Sequence, residues 1–330
     1  MPPTLRDIAK QLDVAPSTVS RALADDPGVG PDRAAEIRAF AEKLGYRPRP
    51  MRRGLNRTVG LVTATPDARM SDRAWQTFLL STVVSAVGAH GWHVLHEFVS
   101  RESGEVPKLV RENRVDGVLL SGLPSPVSCR ALRRLGMPAV ALNDLASRTG
   151  FPSVIADGAA GTRDVVAALA SMGHRRIALV TTPLVFPTVA ARAEAFREAA
   201  AAAGVRATVL VVGGTSIQQG QAGTRQLLSR RPRPTAIVYS ADRLAVGGMI
   251  ELGRAGLSVP GDMSVVGHDN TGLGRETEPP LTSVDLHQEE MVETAFSLLR
   301  AQIEGGTPAR AVQKTVLSSV AWRASTAGVL

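Results

Sequence analysis

The sequence contains a single cysteine, Cys129, so neither a disulfide framework nor a cysteine metal site can form within one chain. The thiol reads as a stray group on a polar loop or helix. Long apolar runs are also missing: stretches such as Val118 to Leu120 or Thr208 to Val212 are far too short to span a membrane. The opening Met1-Pro-Pro-Thr-Leu-Arg-Asp offers no apolar segment that would serve as a secretory signal. A cytoplasmic protein is therefore expected. No phosphate loop, nucleophile elbow, metal-ligand cluster or dinucleotide fingerprint occurs, so the sequence predicts no catalytic residue, no metal and no cofactor. Gly213-Gly-Thr-Ser216 lacks the lysine of a phosphate loop and reads as a turn.

What is present is a globular composition. Of 330 residues, 44% are hydrophobic, enough to bury a sizeable core in about two domains. The formal charge is +8, and its placement is informative. Residues 1–57 hold eleven Lys/Arg against seven Asp/Glu, and residues 47–57 carry Arg47, Arg49, Arg52, Arg53 and Arg57 with no acid among them. A basic run this dense marks either a solvated tail or a contact with a polyanion.

The chain has two rhythms. From Thr4 to Tyr46 it reads as three short helices. Thr4 is a good N-cap with Asp7 three residues on, and Leu5, Ile8, Ala9 and Leu12 share a face. A break at Asp13-Val14-Ala15 precedes a second helix from Pro16, with Val19, Ala22 and Leu23 inward and Ser17, Thr18, Ser20 and Arg21 mostly on the other side. A third helix from Pro31 should bury Ala34, Ile37, Phe40, Ala41 and Leu44 and stop at Gly45. Such an arrangement is a helix-turn-helix. Beyond the basic segment, β-rich runs (Val59–Thr63, Val94–Val99, Val118–Leu120, Ala139–Leu142, Ile177–Thr181, Val209–Val212, Ala236–Tyr239, Ser264–Val266) alternate with helical stretches such as Thr77–Ala89, Gly161–Ser171, Val189–Ala203 and Arg243–Arg254. That alternation predicts an α/β fold, doubly wound around parallel sheets. The number of units implies two lobes, with a ligand cleft at the carboxyl ends of the strands.

Several motifs stand in a characteristic order: Thr4-Leu-Arg-Asp-Ile-Ala-Lys through Val14-Ala-Pro-Ser-Thr-Val-Ser-Arg-Ala-Leu23, Leu44-Gly-Tyr-Arg-Pro48, Val115-Asp-Gly-Val118 and Met172-Gly-His-Arg-Arg-Ile177. Val259-Pro-Gly-Asp-Met-Ser-Val-Val-Gly-His-Asp269, Pro279-Pro-Leu-Thr-Ser-Val284 and Trp322-Arg-Ala-Ser-Thr326 follow. Together these residues resemble the lactose/galactose-repressor (LacI/GalR) family of transcriptional regulators over nearly the whole chain. The resemblance implies an all-α DNA-binding head (1–46), a basic hinge (47–57) and a two-lobed effector and dimerisation domain like a periplasmic binding protein (58–330). The first lobe would comprise about 58–172 and 285–316, the second about 173–284 and 317–330, with connections near Gly173, Asp285 and Leu317. It also implies a homodimer on a pseudo-palindromic double-stranded operator, with no membrane partner.

Carried over residue by residue, the resemblance places Pro16 and Ser17 at the base-reading positions of the second helix, with Arg21 one turn on. Thr4, Thr18 and Ser20 fit phosphate contacts, or are merely solvated hydroxyls. Pro50-Met-Arg-Arg-Gly-Leu55 resembles a hinge helix in which Leu55 wedges into the minor groove, flanked by Arg52 and Arg53. Leu55 is only four residues from Val59, a shorter tether than the family's, so Leu55 instead packing on the first lobe stays open. In the effector domain, Arg192 and Asp269 match the family's polar ligand contacts, or form a structural salt bridge. Trp75 stands where relatives place a stacking aromatic, or belongs to the core. Asp242 reads as the cap of the helix that follows it, and His174 as a residue joining a strand. A regulator responding to a sugar is expected; a nucleoside- or purine-responsive regulator of the same family and a solute-binding protein are the alternatives. The chain stops soon after Arg323-Ala-Ser-Thr, without a further leucine-repeat helix, which favours a dimer over a tetramer.

Overall fold

A computed structural model describes residues 4–23, 28–44, 46, 55–65, 74–102, 104–305 and 311–329. The chain divides into two compact units, Met1–Leu55 and Asn56–Leu330.

The first unit holds α1 (Leu5–Gln11), α2 (Pro16–Leu23) and α3 (Pro31–Lys43). Thr4 begins α1 through a reciprocal capping box: the Asp7 amide donates to Thr4 Oγ1 and the Thr4 amide donates to Asp7 Oδ2. The Thr4 hydroxyl, donating to Asp7 Oδ2 at 2.7 Å, and then the Thr4 amide hold the Asp7 pKa below its ordinary value. Asp13, in the left-handed region at φ 49°, makes the tight turn into α2, and the Val14 amide closes it on Ala9 O at 3.0 Å. Ile8, Ala9, Val19, Ala22, Ala34, Ile37 and Ala41 form the small core, with Leu5, Leu12, Leu23 and Phe40 partly buried around it. Leu44, expected inside, is exposed because it lies past the last turn of α3 as its C-cap. Gly45, the expected stop, lies outside the described residues.

The second unit opens with β1 (Thr58–Thr65), whose unbroken Val-Gly-Leu-Val-Thr-Ala run is buried on both faces, as a central parallel strand requires. Then come α4 (Ala74–Ala89), β2 (His93–Ser100), α5 (Lys108–Arg111), β3 (Gly117–Gly122), α6 (Pro126–Arg134), β4 (Ala139–Leu142), α7 (Ala146–Thr149) and β5 (Ser153–Asp157). The chain continues through α8 (Gly158–Ser171), β6 (Arg176–Thr181), α9 (Pro187–Ala202), β7 (Arg206–Val211), α10 (Ile217–Leu228) and β8 (Ala236–Tyr239). It ends with α11 (Asp242–Arg254), β9 (Ser264–His268), α12 (Gly272–Arg275), β10 (Thr282–Asp285), α13 (Gln288–Gly305), β11 (Gln313–Leu317) and β12 (Ser319–Ala321).

Two six-stranded sheets result, in the orders β11-β5-β4-β3-β1-β2 and β12-β10-β9-β8-β6-β7. All pairings are parallel except β12 against β10. Within the described residues the chain passes between the sheets three times. The first passage falls at Asp157–Gly158, because α8 already packs on α9 and β10 of the second sheet; the expected position near Gly173 is one whole helix too late. The second falls between Asp285 and α13, and the third at Ser318, between β11 and β12. One apolar cluster runs through both lobes by way of Ala156, Val165, Val284, Leu286, Val292 and Val316. Cys129 is no surface thiol: it is buried in the first lobe beside Leu120 and Leu132, and burial pushes its pKa up to about 11. Among the described residues no helix is long and apolar enough to cross a membrane.

Candidate functional site

Within the second unit, the carboxyl ends of the strands from both sheets face a cleft of about 350 Å³. The first lobe contributes Ala64 and Thr65 from the end of β1, Trp75 and Gln76 from the start of α4, Gly122 at the end of β3 and Asn143 after β4. Gly122 (φ 80°) must be glycine, since a Cβ there would sit 2.0 Å from Ala64 O. The second lobe contributes Phe186, Thr188 and Arg192 around the first turns of α9, Ser240 after β8 and Asp269 after β9. The loop Gly213–Ser216 and Gln219 complete that wall.

Trp75, Arg192 and Asp269, the three residues singled out in this domain, are thus brought to one cavity. Arg192 reaches it from α9, with its Nη1 donating to Ser240 O at 3.2 Å and its Nε buried without a partner. Burial lowers its pKa, and the nearby Asp269 works against that. The two side chains attract one another but make no direct ion pair. Asp269 sits at φ 98°, a strained conformation for any residue but glycine, and its amide donates to Val284 O at 2.9 Å. Burial, reinforced by the Asp242 carboxylate and only partly offset by Arg192, pushes its pKa up to about 7. Gln76 Oε1 and Ser240 Oγ are likewise buried without hydrogen-bond partners. Trp75 lines the cavity and also packs on the shared apolar cluster.

Asp242 does not cap α11, whose N-cap, Ala241, makes no side-chain bond. Its carboxylate instead accepts from the Thr271 amide and hydroxyl at 2.6 and 2.8 Å and from Ser283 Oγ at 2.6 Å. It therefore braces the turn that presents Asp269. Burial nonetheless raises the Asp242 pKa, against those hydrogen bonds. His268 is fully buried, with Nδ1 donating to Tyr239 O at 2.8 Å and Nε2 facing Thr162 Oγ1 at 3.1 Å. Burial and the Arg192 charge push its pKa down to about 3, so the ring is neutral at any physiological pH. His174 ties the end of α8 to Thr235 Oγ1 and Ala327 O, a structural role.

The sequence points to none of Gln76, Asn143 and Ser240, and gives the Gly213–Ser216 loop only as a turn. The loop carried no ligand signature: Ser216 simply caps α10, and Gln219 Oε1 accepts from the Gly213 amide at 3.1 Å. Gln76 and Asn143 gain meaning only when the two sheets are brought face to face.

In the first unit, Pro16, Ser17 and Arg21 lie exposed along α2, while Thr18 and Ser20 are half-buried beside Val19 and Ala22. Thr4 is exposed and engaged with Asp7. Arg52 and Arg53 lie outside the described residues, as does the rest of the expected hinge helix up to Gly54. Leu55 is 49% exposed. Immediately beyond it, Asp116 fixes the start of β1 by accepting from the amides of Asn56 and Thr58 at 3.1 and 2.9 Å.

Residues 4–49 match the family model of bacterial regulatory proteins of the lacI family, and residues 166–326 match that of a periplasmic binding protein-like domain. The HTH-type transcriptional repressor CytR of Escherichia coli (strain K12) is 29% identical over 311 residues, 92% of this chain and 90% of that protein. A complex of the transcriptional regulator CelR with cellobiose is similar at a TM-score of 0.69 and 26% identity, covering 98% of this chain and 99% of that one. A lac repressor dimer bound to operator and the anti-inducer ONPF shares the fold, with a TM-score of 0.71 at 24% identity over 99% of this chain and 100% of that one.

Proposed function

We infer, for a chain that belongs to the lacI family of bacterial regulatory proteins, that it is a cytoplasmic, homodimeric repressor whose operator affinity is set by a sugar held between its two lobes. The family is one of DNA-binding transcription regulators and not of enzymes.

One observation carries the choice of effector. Arg192 Nε, Gln76 Oε1 and Ser240 Oγ line the cleft buried and unpartnered, and the Asp269 carboxyl stands with them. A buried donor or acceptor left unmade costs about 1–3 kcal/mol, so such a set is poised for a ligand that both donates and accepts. Among the described lining residues the only charged side chains are one Arg and one Asp, which balance when the Asp269 carboxyl is ionised. An uncharged, hydroxyl-rich molecule meets these demands, and Trp75 and Phe186 offer apolar faces to a sugar ring. The similarity to a regulator holding cellobiose supports the same choice.

In the head, Ser17 and Arg21 read base edges in the major groove, with Pro16 contributing apolar contact. Thr4, Thr18 and Ser20 hold phosphates, and Arg52, Arg53 and Leu55 engage the minor groove. A thermal-shift and calorimetric screen of mono- and disaccharides against nucleosides tests the effector assignment. Saturable stabilisation by a sugar supports it; binding confined to nucleosides replaces it with the alternative reading.

A further inference from the structure

From Asn270, the residue after the cleft aspartate, a run of hydrogen bonds leads to the passages between the lobes. Asp269 and Asn270 are both left-handed, at φ 98° and 49°, and His287 beyond β10 is left-handed at φ 45°. Non-glycine residues hold such conformations when their surroundings fix them, and Asn and Asp tolerate them best. The Asn270 amide donates to Ser283 Oγ at 3.0 Å, and its side-chain carbonyl accepts from Arg323 Nη2 at 2.5 Å. Its side-chain NH2 donates to Asp285 Oδ2 at 2.8 Å. The other carboxylate oxygen of Asp285 accepts from the His287 amide at 2.8 Å, and His287 Nε2 pairs with Ser319 Oγ at 2.9 Å.

Asp285 and His287 are the second passage between lobes, and Ser319 follows the third. The third is in turn tied to the first. Ser318 Oγ donates to Asp157 O at 2.6 Å and accepts from the Gly161 amide at 3.0 Å. Gly158, at the first passage, is closely packed: a Cβ would meet Arg192 Cδ and Nε at 3.0 Å and Leu286 Cδ2 at 3.1 Å, so those side chains would have to give way. All three passages are thus cross-linked by side chains, and the chain of bonds starts one residue from the cleft.

We propose that Asn270 and Asp285 are positioning residues that set the angle between the lobes and report to it what occupies the cleft at Asp269. A ligand that draws on the Asp269 carboxyl shifts the turn shared with Asn270. That shift is delivered through Asp285 to the points about which the lobes rotate. This role rests on the cleft being the effector site, but control of the lobe angle by the relay is measurable with no ligand present.

The test is a spin-label distance measurement on the ligand-free full chain, diluted with unlabelled protein so that only distances within one chain are read. Labels go on cysteines replacing the exposed Arg134 in α6 and Gln226 in α10, one per lobe, with Cys129 buried. Asn270→Asp sets two carboxylates against each other and should shift and broaden the inter-lobe distance. Adding Asp285→Asn to it rebuilds the relay with donor and acceptor exchanged, and should restore the wild-type distribution. Ser319→Ala, on an exposed edge strand, breaks the far end without touching the core and should also broaden it. A wild-type distribution in Asn270→Asp, or a double variant that melts like wild type yet keeps the altered distribution, overturns the proposal. Should Asn270→Asp not fold, Ser319→Ala decides: a broadened distribution supports the relay and a wild-type distribution overturns it.

Discussion

At the residue scale, the charge on Asp269 is governed near neutral pH. Its pKa is raised to about 7 in the folded protein against an ordinary value of 3.8. Between those values the folded chain holds a proton that the unfolded chain has lost, so this group lowers stability as pH rises from about 4 to 7. Asp269→Asn removes the effect. Melts of the ligand-free proteins should therefore converge below pH 4 and show the variant more stable above pH 7; a constant difference across that range would mean that the carboxyl is ionised throughout. A sugar hydroxyl donating to the carboxylate favours its charged form, so ligand binding near pH 7 should release a proton. Calorimetry in two buffers of different ionisation enthalpy reads that release directly. Arg192→Ala should weaken the ligand by about thirty-fold or more, because it leaves the remaining polar groups buried and under-satisfied. Wild-type affinity in that variant would place the ligand elsewhere.

At the element scale, helices and strands with strong local signals are legible in the amino-acid sequence. Thr4 and Asp7 announce the start of α1 by chemistry that acts over three residues. Ala139–Leu142 and Ala236–Tyr239 are buried parallel strands bounded as their apolar runs predict. Elements whose reason lies in a distant partner are not legible there. In β11 only Val316 is buried, so the strand has no apolar run and exists because β5 pairs with it. In α10, Gly220 and Gly223 weaken the helical pattern, yet Gly220 is what lets the α11 backbone approach: a Cβ there would sit 2.1 Å from Leu244 O. The same logic hid Asp242, whose position at a helix start suggested a cap but whose partners are Thr271, just before α12, and Ser283 of β10. Gly248 is held to the same standard, with a Cβ falling 2.1 Å from the hydroxyl of Tyr239, which is itself bonded to Thr224 Oγ1 at 2.6 Å. Gly248→Ala should cost about 1–3 kcal/mol in denaturant unfolding; a neutral result would show that the Tyr239 ring has room to move. In the head, Arg21→Ala should cost at least about 1 kcal/mol on a specific operator and much less on random DNA, if it reads a base. Equal losses on both would assign it to the backbone alone.

At the scale of the whole molecule, the polar set in the cleft, the three passages between lobes and the DNA-binding head make one device only if occupancy of the cleft alters DNA binding. Arg192 and Asp269 are recognisable from motif position, but their juxtaposition with Gln76 from the other lobe requires both sheets. The most direct measurement is operator affinity, by fluorescence anisotropy on DNA from upstream of the chain's own gene, titrated with the sugar that stabilises the protein. The predicted result is a change of about 5-fold or more in the wild type, within the usual range of allosteric coupling, and no change in Arg192→Ala, whose affinity without sugar stays that of the wild type. Saturation of the cleft by that sugar with operator affinity unmoved in the wild-type protein would contradict the account.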